Sequence, residues 1–113
     1  MRYFGDGSLM NVSISYYEEE SPLGTAGALF KIKDRLTDDF LLINGDLIFS
    51  VDLSRMIEFH KSHDALATLF VHPNSHPYDS ELVVCDKKGT VTDWFKNDGF
   101  GSYANCVNAG IHI

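Results

Sequence analysis

A run of apolar residues that ends in a turn and a carboxylate constrains the fold of this chain most. Residues 40–43 are Phe-Leu-Leu-Ile, and Asn44, Gly45 and Asp46 follow them directly. A strand that is apolar on both faces is typical of the centre of a parallel sheet covered by helices. We therefore predict such a strand over residues 39–44, with the Asp46 carboxylate just past its carboxyl end. A carboxylate in that position suits a divalent cation that bridges phosphates.

A turn of small residues lies upstream of this strand. Residues 22–29 read Pro-Leu-Gly-Thr-Ala-Gly-Ala-Leu, and they predict a Gly-rich turn that leads into a helix over residues 26–35, with Thr25 as its N-cap. Backbone N–H groups at the start of a helix are unpaired, which suits a nucleotide or a phosphate. The two segments would place exposed backbone amides and one acidic side chain at the same edge of a sheet.

The remaining hydrophobic patterns complete the predicted architecture. They indicate a helix over 52–63 and strands over 12–17, 65–72, 81–86, 90–95 and 107–113. Lys-Lys-Gly at 87–89 is a suitable hairpin turn. This order predicts an α/β fold, namely a Rossmann-like layered domain with a mainly parallel sheet plus a β-hairpin.

The histidines do not have the spacing of a metal site. Five histidines are present, but neither an H-E-x-x-H motif nor a Cys-rich pattern accompanies them. In the predicted helix over 52–63, His60 shares one stripe with apolar residues at helical spacing, namely Leu53, Met56 and Ile57. We expect His60 to pack on that helix face and not to bind a metal.

Composition excludes several classes of function. The 113 residues, 44% of them hydrophobic, suffice for one domain with a core. The net charge of −7 disfavours nucleic acid or an anionic membrane as a partner, because both require a basic surface. No apolar run approaches the roughly 18 residues of a membrane span, and no signal peptide is visible. Cys85 and Cys106 lie in apolar segments where free thiols are common, so we expect a cytoplasmic protein.

The segments at 22–27 and 44–46 together resemble the sugar-1-phosphate nucleotidyltransferases, also called nucleotide-sugar pyrophosphorylases. Within them the chain is most similar to the mannose-1-phosphate and heptose-1-phosphate guanylyltransferase branch, and the similarity runs from about Gly5 to Ile113. Supporting segments are His-Pro-Tyr-Asp-Ser at 76–80, Asn-Cys-Val-Asn-Ala-Gly at 105–110 and the helix that contains His60. The resemblance implies a partial nucleotidyltransferase fold of the GT-A-like kind. It also implies transfer of a nucleotidyl group, preferably from GTP, to a mannose- or heptose-like sugar 1-phosphate.

The same resemblance implies roles for individual residues. Asp46 would hold Mg²⁺ and position the phosphates of the nucleoside triphosphate. The nucleotide would contact Glu20, Leu23, Gly24, Thr25, Ala26, Gly27, Asn44 and Gly45, and the sugar phosphate would contact Ser80, Lys96, Asn108, Ala109 and Gly110. Lys96 departs from the family pattern, which places this lysine between Glu and Pro, whereas here Phe95 and Asn97 flank it.

Each of these roles has a purely structural alternative. Asn-Gly-Asp at 44–46 is also ordinary turn chemistry, and residues 23–27 could simply begin a helix that packs on a sheet. Glu20 is one of three consecutive glutamates that solvent could surround. Asn108 would then be a strand residue that faces a loop, and Ser80 would simply begin a strand.

A second class of function stays open. The family pattern includes a Gly-rich triphosphate loop before the matched segment and a second metal-binding Asp after it, and these 113 residues contain neither. We therefore expect a single partial domain over 1–113 that is inactive alone, and a non-catalytic fragment or an assembly or nucleotide-binding module is the alternative. An apolar strand left at a sheet edge would pair with another copy, so we expect a homo-oligomer formed through residues 39–44.

Overall fold

The computed structural model describes residues 3–24, 26–73, 81–96 and 106–113, with Lys96 described by its backbone alone. The chain divides into two compact units, Met1–Asp39 and Phe40–Ile113. None of the helices in these described ranges has the length and apolar character that a membrane crossing requires.

The described residues of the first unit form one short α-helix and two turns of 3₁₀ helix. The α-helix, α1, spans Gly27–Ile32, and the 3₁₀ turns span Ser8–Met10 and Lys33–Arg35. The helix predicted over 26–35 is therefore confirmed in place, although its last turn tightens to 3₁₀ geometry. Its N-cap position is Ala26, which makes no side-chain hydrogen bond, and not Thr25.

The strand predicted over 12–17 is wrong, because these residues form no regular structure. Their side chains alternate between polar and apolar, but a strand needs a neighbour that accepts and donates its backbone hydrogen bonds. No strand forms in the described part of the first unit, so that neighbour is missing there. Tyr16 and Tyr17 are correspondingly exposed.

The second unit contains one α-helix and five strands among its described residues. In chain order these are β1 (Leu42–Ile43), α2 (Leu53–Ser62), β2 (Leu69–Pro73), β3 (Glu81–Cys85), β4 (Val91–Lys96) and β5 (Cys106–His112). The last strand organises the sheet, since β5 pairs with β1, β2 and β3, and β3 pairs with β4.

The prediction of a mainly parallel, Rossmann-like sheet is wrong. Every pairing in the described sheet is antiparallel, including those of β1 and β2 with β5. Hydrophobicity indicates which residues lie in a sheet, but strand direction depends on the partner, and β5 runs opposite to all three of its neighbours. The strand predicted over 39–44 is reduced to Leu42–Ile43. Phe40 is 40% exposed and Ile43 is 37% exposed, so this segment is not covered on both faces.

The hairpin and the second helix are confirmed where local sequence predicts them. The β3–β4 ladder runs from Glu81 opposite Lys96 to Cys85 opposite Val91. At its turn, the Asp86 carboxylate accepts hydrogen bonds from the backbone N–H groups of Lys88 and Thr90.

The helix α2 begins at a side-chain cap. Asp52 Oδ1 accepts from the N–H groups of Ser54 and Arg55, at 3.0 and 3.2 Å. These bonds satisfy two backbone donors that the first turn of a helix leaves unpaired.

The core of the second unit is small and lies around β3 and β5. Its fully buried side chains are Leu82, Val83 and Ile111, joined by Met56 from α2 and Val107. Leu82 lies opposite Val107 in the sheet. The strand that carries Asn108 and Gly110 thus contributes Val107 and Ile111 to this core.

Candidate functional site

The two sequence segments that carry most of the predicted site in the second unit meet in space. The backbone N–H of Asn44 donates to the carbonyl oxygen of Gly110 at 3.0 Å, next to the pair formed by Ile43 and Ile111. A Cβ placed on Gly110 would lie 2.6 Å from Asn44 Nδ2 and 3.0 Å from Asn44 Cγ. The amide of Asn44 thus rests directly on the backbone of Gly110, and only glycine leaves room for it.

A bulge in β5 shapes this meeting point. Leu69 of β2 pairs with His112 and Val71 pairs with Asn108. Only Phe70 separates the two β2 residues, whereas residues 109–111 separate the two on β5. The additional residues are accommodated by Gly110, whose φ is +72°, in the left-handed region that glycine enters without strain.

Asn108 has an amide oxygen that accepts two hydrogen bonds within its own strand. Asn108 Oδ1 accepts from the backbone N–H of Gly110 at 3.0 Å, and it lies 2.9 Å from His112 Nε2. Asn108 is half-buried, and its Nδ2 donates to none of the residues that the structure describes. The amide therefore retains two donors that a ligand could use.

His112 is held by this contact and by burial. Its Nδ1 atom is buried and has no hydrogen-bond partner within the described ranges. Burial lowers the pKa of His112 from its ordinary value of 6.5, because the protonated ring is disfavoured where water is excluded.

Asp46 and Gly45 form an exposed turn directly after β1. The Asp46 carboxylate makes no hydrogen bond to the described residues. A Cβ on Gly45 would meet no atom of the described residues within 4 Å, so the described fold does not require glycine there. The turn is open to solvent beside Asn44, which anchors it to β5.

The nucleotide segment predicted at 20–27 lies in the first unit, beside a cavity of about 380 Å³. The cavity is lined by Tyr17, Glu18, Glu20, Ser21, Leu23 and Lys31. Glu20 and Leu23 thus share one concave surface. Lys31 adds a cation to that surface.

Glycine is favoured at two positions of this segment for different structural reasons. Gly24 has φ of +76°, and a Cβ there would meet none of the described atoms within 4 Å, so its backbone conformation favours glycine. A Cβ on Gly27 would collide with Leu23 Cβ. The N–H of Leu23 in turn donates to Glu19 Oε2 at 3.1 Å. The turn is therefore held by Glu19, whereas Glu20 faces the cavity.

Comparison with known proteins identifies the family. The profile of the nucleotidyl transferase family matches residues 1–96, well over half of the chain. The chain belongs to this family.

Individual relatives are similar over nearly all of its length. The chain is 40% identical over 111 residues to a mannose-1-phosphate guanylyltransferase of Mycobacterium tuberculosis, covering 97% of this chain and 31% of that protein. It is 36% identical over 112 residues to a D-glycero-alpha-D-manno-heptose 1-phosphate guanylyltransferase of Aneurinibacillus thermoaerophilus, with coverages of 98% and 47%. It is 32% identical over 108 residues to a probable mannose-1-phosphate guanylyltransferase of Arabidopsis thaliana, with coverages of 92% and 33%. The chain spans about a third to about a half of the length of these relatives.

Several of the predicted site residues lie outside what the structure describes. Thr25 and Ser80 fall outside the described residues, and so does the side chain of Lys96. The backbone of Lys96 ends β4, opposite Glu81. Ala109 lines a second cavity, of about 340 Å³, together with His72 and Ile111, and Ala26 occupies the cap position of α1.

His112 is the contact residue that sequence reasoning missed. A signal was present in the sequence, because Asn108 and His112 are polar at even positions of β5 whereas Val107 and Ile111 are apolar at odd ones. Such alternation places the two polar side chains on one face. The bulge adds two residues to β5, which is an even number, so Asn108 and His112 remain on the same face of the strand.

His60 packs as expected. It is buried on α2, and its Nδ1 lies 2.9 Å from Oγ1 of the buried Thr68. Thr68 in turn exchanges backbone hydrogen bonds with Ile113. No group of three potential metal-binding side chains occurs among the described residues.

Proposed function

We propose that this chain contributes to guanylyl transfer, in which GTP and a mannose- or heptose-like sugar 1-phosphate yield a nucleotide sugar and pyrophosphate. Membership of the nucleotidyl transferase family supports the reaction class. The names of the relatives from M. tuberculosis and A. thermoaerophilus support the two kinds of sugar phosphate.

The contact between Asn44 and Gly110 carries the proposal. It joins two distant segments of the sequence with a backbone hydrogen bond of 3.0 Å and an amide packed against a glycine. As a result, the turn that bears Asp46 lies beside the strand that bears Asn108. A carboxylate and an amide with free donors suit a ligand that carries both phosphates and sugar hydroxyls.

Asp46 is suited to hold Mg²⁺ in such a complex. Magnesium retains several waters and is commonly bound by one or two carboxylates together with substrate phosphates. The exposed Asp46 carboxylate, with no hydrogen bond to the described residues, fits that requirement. Mg²⁺ bound there would neutralise phosphate charge.

The reaction needs positioning more than it needs an acid or a base. An oxygen of the sugar 1-phosphate attacks the α-phosphorus of GTP, and pyrophosphate leaves with the electron pair of the broken P–O bond. Residues that hold the two reactants in line lower the barrier by removing the entropy cost of their encounter. Asn108, Ala109, Gly110, Lys96 and Ser80 would hold the sugar phosphate. Glu20, Asn44, Gly45 and the segment over 23–27 would hold the nucleotide.

The test is a titration of the chain with GTP and with GDP-mannose, with and without Mg²⁺, in which binding is monitored by NMR chemical shifts. We expect saturable shifts, with GTP binding that requires Mg²⁺. In Asp46→Asn this binding should weaken about tenfold or more, because a phosphate-bridging metal loses its protein ligand. Glu58→Gln is the matched control, since it removes one exposed carboxylate from α2 of the same unit. Equal weakening in both variants, or no binding by the wild type, would contradict the proposal.

A second candidate function is that of an assembly or nucleotide-binding module without catalysis. Apolar side chains that are at least one-third exposed cluster in one segment of the second unit, at Phe40, Leu41, Ile43, Ile48 and Phe49. Exposed apolar surface next to a two-residue strand favours pairing with another copy. Light scattering should then show a homo-oligomer that Ile43→Lys dissociates. Ligand binding without release of pyrophosphate would favour this candidate over the enzyme.

The proposed substrates also indicate where the protein works and what it does not bind. GTP and sugar phosphates are cytoplasmic metabolites, so we propose a cytoplasmic location. The net charge of −7 disfavours nucleic acids and anionic membranes as partners. Fractionation of cells, followed by immunodetection in the cytosolic and membrane fractions, tests the location.

A further inference from the structure

The bulge in β5 creates a contact that a regular strand cannot make. Residues four positions apart in a regular strand are separated by about 13 Å. In β5, however, the side chains of Asn108 and His112 approach to 2.9 Å. The residues inserted opposite β2 and the left-handed Gly110 shorten the strand enough to bring them together. The backbone conformation of β5 thus brings these two side chains within hydrogen-bonding distance.

The backbone of Gly110 decides which way the Asn108 amide points. The atom of Asn108 that lies 3.0 Å from the Gly110 nitrogen faces an N–H group. An N–H can only donate, so that atom must be the acceptor Oδ1 and not Nδ2. The orientation of this amide therefore follows from chemistry.

The orientation of the amide in turn decides the tautomer of His112. Oδ1 cannot donate, so the His112 Nε2 atom at 2.9 Å must carry the proton. The other nitrogen, Nδ1, is then a bare acceptor, and it is buried without a partner in the described part of the chain. A proton on Nδ1 would place a charge in that buried position, so the neutral Nε2–H form is favoured.

We propose that His112 is a positioning residue that holds Asn108 as a pure donor. With two hydrogen bonds on Oδ1, the amide cannot rotate by half a turn without losing both of them and setting its NH₂ group against two donors. Asn108 therefore presents only Nδ2–H groups, and the ligand group that it binds is an acceptor oxygen of a phosphate or a sugar hydroxyl. This inference rests on the proposed function, in which Asn108 contacts the sugar phosphate.

The first measurement uses NMR of the ¹⁵N-labelled full chain without ligand. Imidazole nitrogen shifts should report the Nε2–H tautomer of His112, and the Asn108 side-chain NH₂ should give two resolved, slowly exchanging signals. In His112→Phe the ring volume is kept and the donor is lost, so the Asn108 NH₂ signals should shift and merge or broaden. His112→Gln restores an N–H donor and should retain two resolved signals. An Nδ1–H tautomer, or unchanged Asn108 signals in His112→Phe, overturns the proposal.

The second measurement is the affinity for mannose 1-phosphate. His112→Phe should bind about three- to tenfold more weakly, the effect of losing one hydrogen bond that orients a ligand donor. His112→Gln should bind nearly as well as the wild type. His63→Phe is the matched control, because His63 directly follows α2 as its C-cap and contacts Phe59 and Ser62, so it should leave affinity unchanged.

The outcomes separate this inference from the function on which it rests. If the wild type binds mannose 1-phosphate and His112→Phe binds equally well, the positioning role is overturned and the proposed function stands. If the wild type binds neither mannose 1-phosphate nor GDP-mannose but shows the expected tautomer, the proposed function is overturned, and the role of His112 is overturned with it.

Discussion

The amide of Asn44 lies on the backbone of Gly110, so that a Cβ on Gly110 would come within 2.6 Å of Asn44 Nδ2. The same two residues share the backbone hydrogen bond from Asn44 N–H to Gly110 O. Two segments separated by more than sixty residues in the sequence are thereby held at van der Waals distance.

Gly110→Ala should destabilise the second unit. The added methyl group meets Asn44 and lies 3.2 Å from Leu47 Cδ1, and the φ of +72° is strained for alanine. We expect a loss of about 1–3 kcal/mol in the free energy of unfolding, measured by urea denaturation. Ala109→Gly, one residue earlier in the same strand, is the control for a general effect of changing the bulge. It should lower the free energy of unfolding by less than Gly110→Ala does. Equal stability of Gly110→Ala and the wild type would show that Asn44 does not lie where the structure places it.

Gly45→Ala should leave the stability of the second unit nearly unchanged and so test the role of this glycine in GTP binding alone. No described atom lies within 4 Å of the position of the new Cβ, and the φ of Gly45 is not left-handed. The free energy of unfolding should therefore change by less than about 0.5 kcal/mol. If a nucleotide approaches this turn, the affinity for GTP should fall, as measured by the same NMR titration. Unchanged affinity would remove Gly45 from the nucleotide site.

Asp52→Ala should weaken α2 at its start. Its carboxylate accepts hydrogen bonds from the N–H groups of Ser54 and Arg55, and the loss of such a cap costs about 1 kcal/mol. Circular dichroism during urea denaturation measures the change. Asp52→Asn keeps an acceptor oxygen and should lose less. A similar loss in Glu58→Ala, which removes an exposed carboxylate from the same helix, would argue against capping as the cause.

Acid should destabilise the second unit through His112. Burial lowers the pKa of His112 from its ordinary value of 6.5. As the pH falls through the ordinary pKa, His112 of the unfolded chain binds a proton, whereas the imidazole in the folded chain stays neutral. The free energy of unfolding therefore falls, and this effect levels off below the folded pKa. Urea denaturation at about pH 5 and about pH 7.5 brackets this window. His112→Gln should show a smaller loss between the two pH values, whereas His63→Gln should show the full loss.

Local elements of the fold were predictable because neighbouring residues determine them. The start of α2 next to Asp52 and the hairpin turn at residues 86–90 both depend on hydrogen bonds between residues at most four positions apart. The hydrophobic stripe of α2 correctly indicated that Met56 and His60 are buried, although Ile57 on the same stripe is 39% exposed. A stripe indicates a face, but the extent of burial depends on what covers that face.

The relative direction of the paired strands was not predictable in the same way. The apolar run over 40–43 suggested a central parallel strand, yet only Leu42 and Ile43 pair, and they pair antiparallel with β5. Apolar side chains reveal burial, whereas strand direction is decided by a partner far away in the sequence. The strand predicted over 12–17 failed for a related reason, since a strand pattern without a neighbour gains no backbone hydrogen bonds.

The family, the candidate residues, the second helix and the hairpin could be inferred from residue identity and short-range hydrogen bonds. The contact of Asn44 with Gly110, and the bulge that joins Asn108 to His112, became evident once the strands were seen to pair. Those contacts depend on the pairing of β5 with β1 and β2. The register of strands that are distant in the chain is set by the packing of the whole sheet, and no short segment of sequence encodes it.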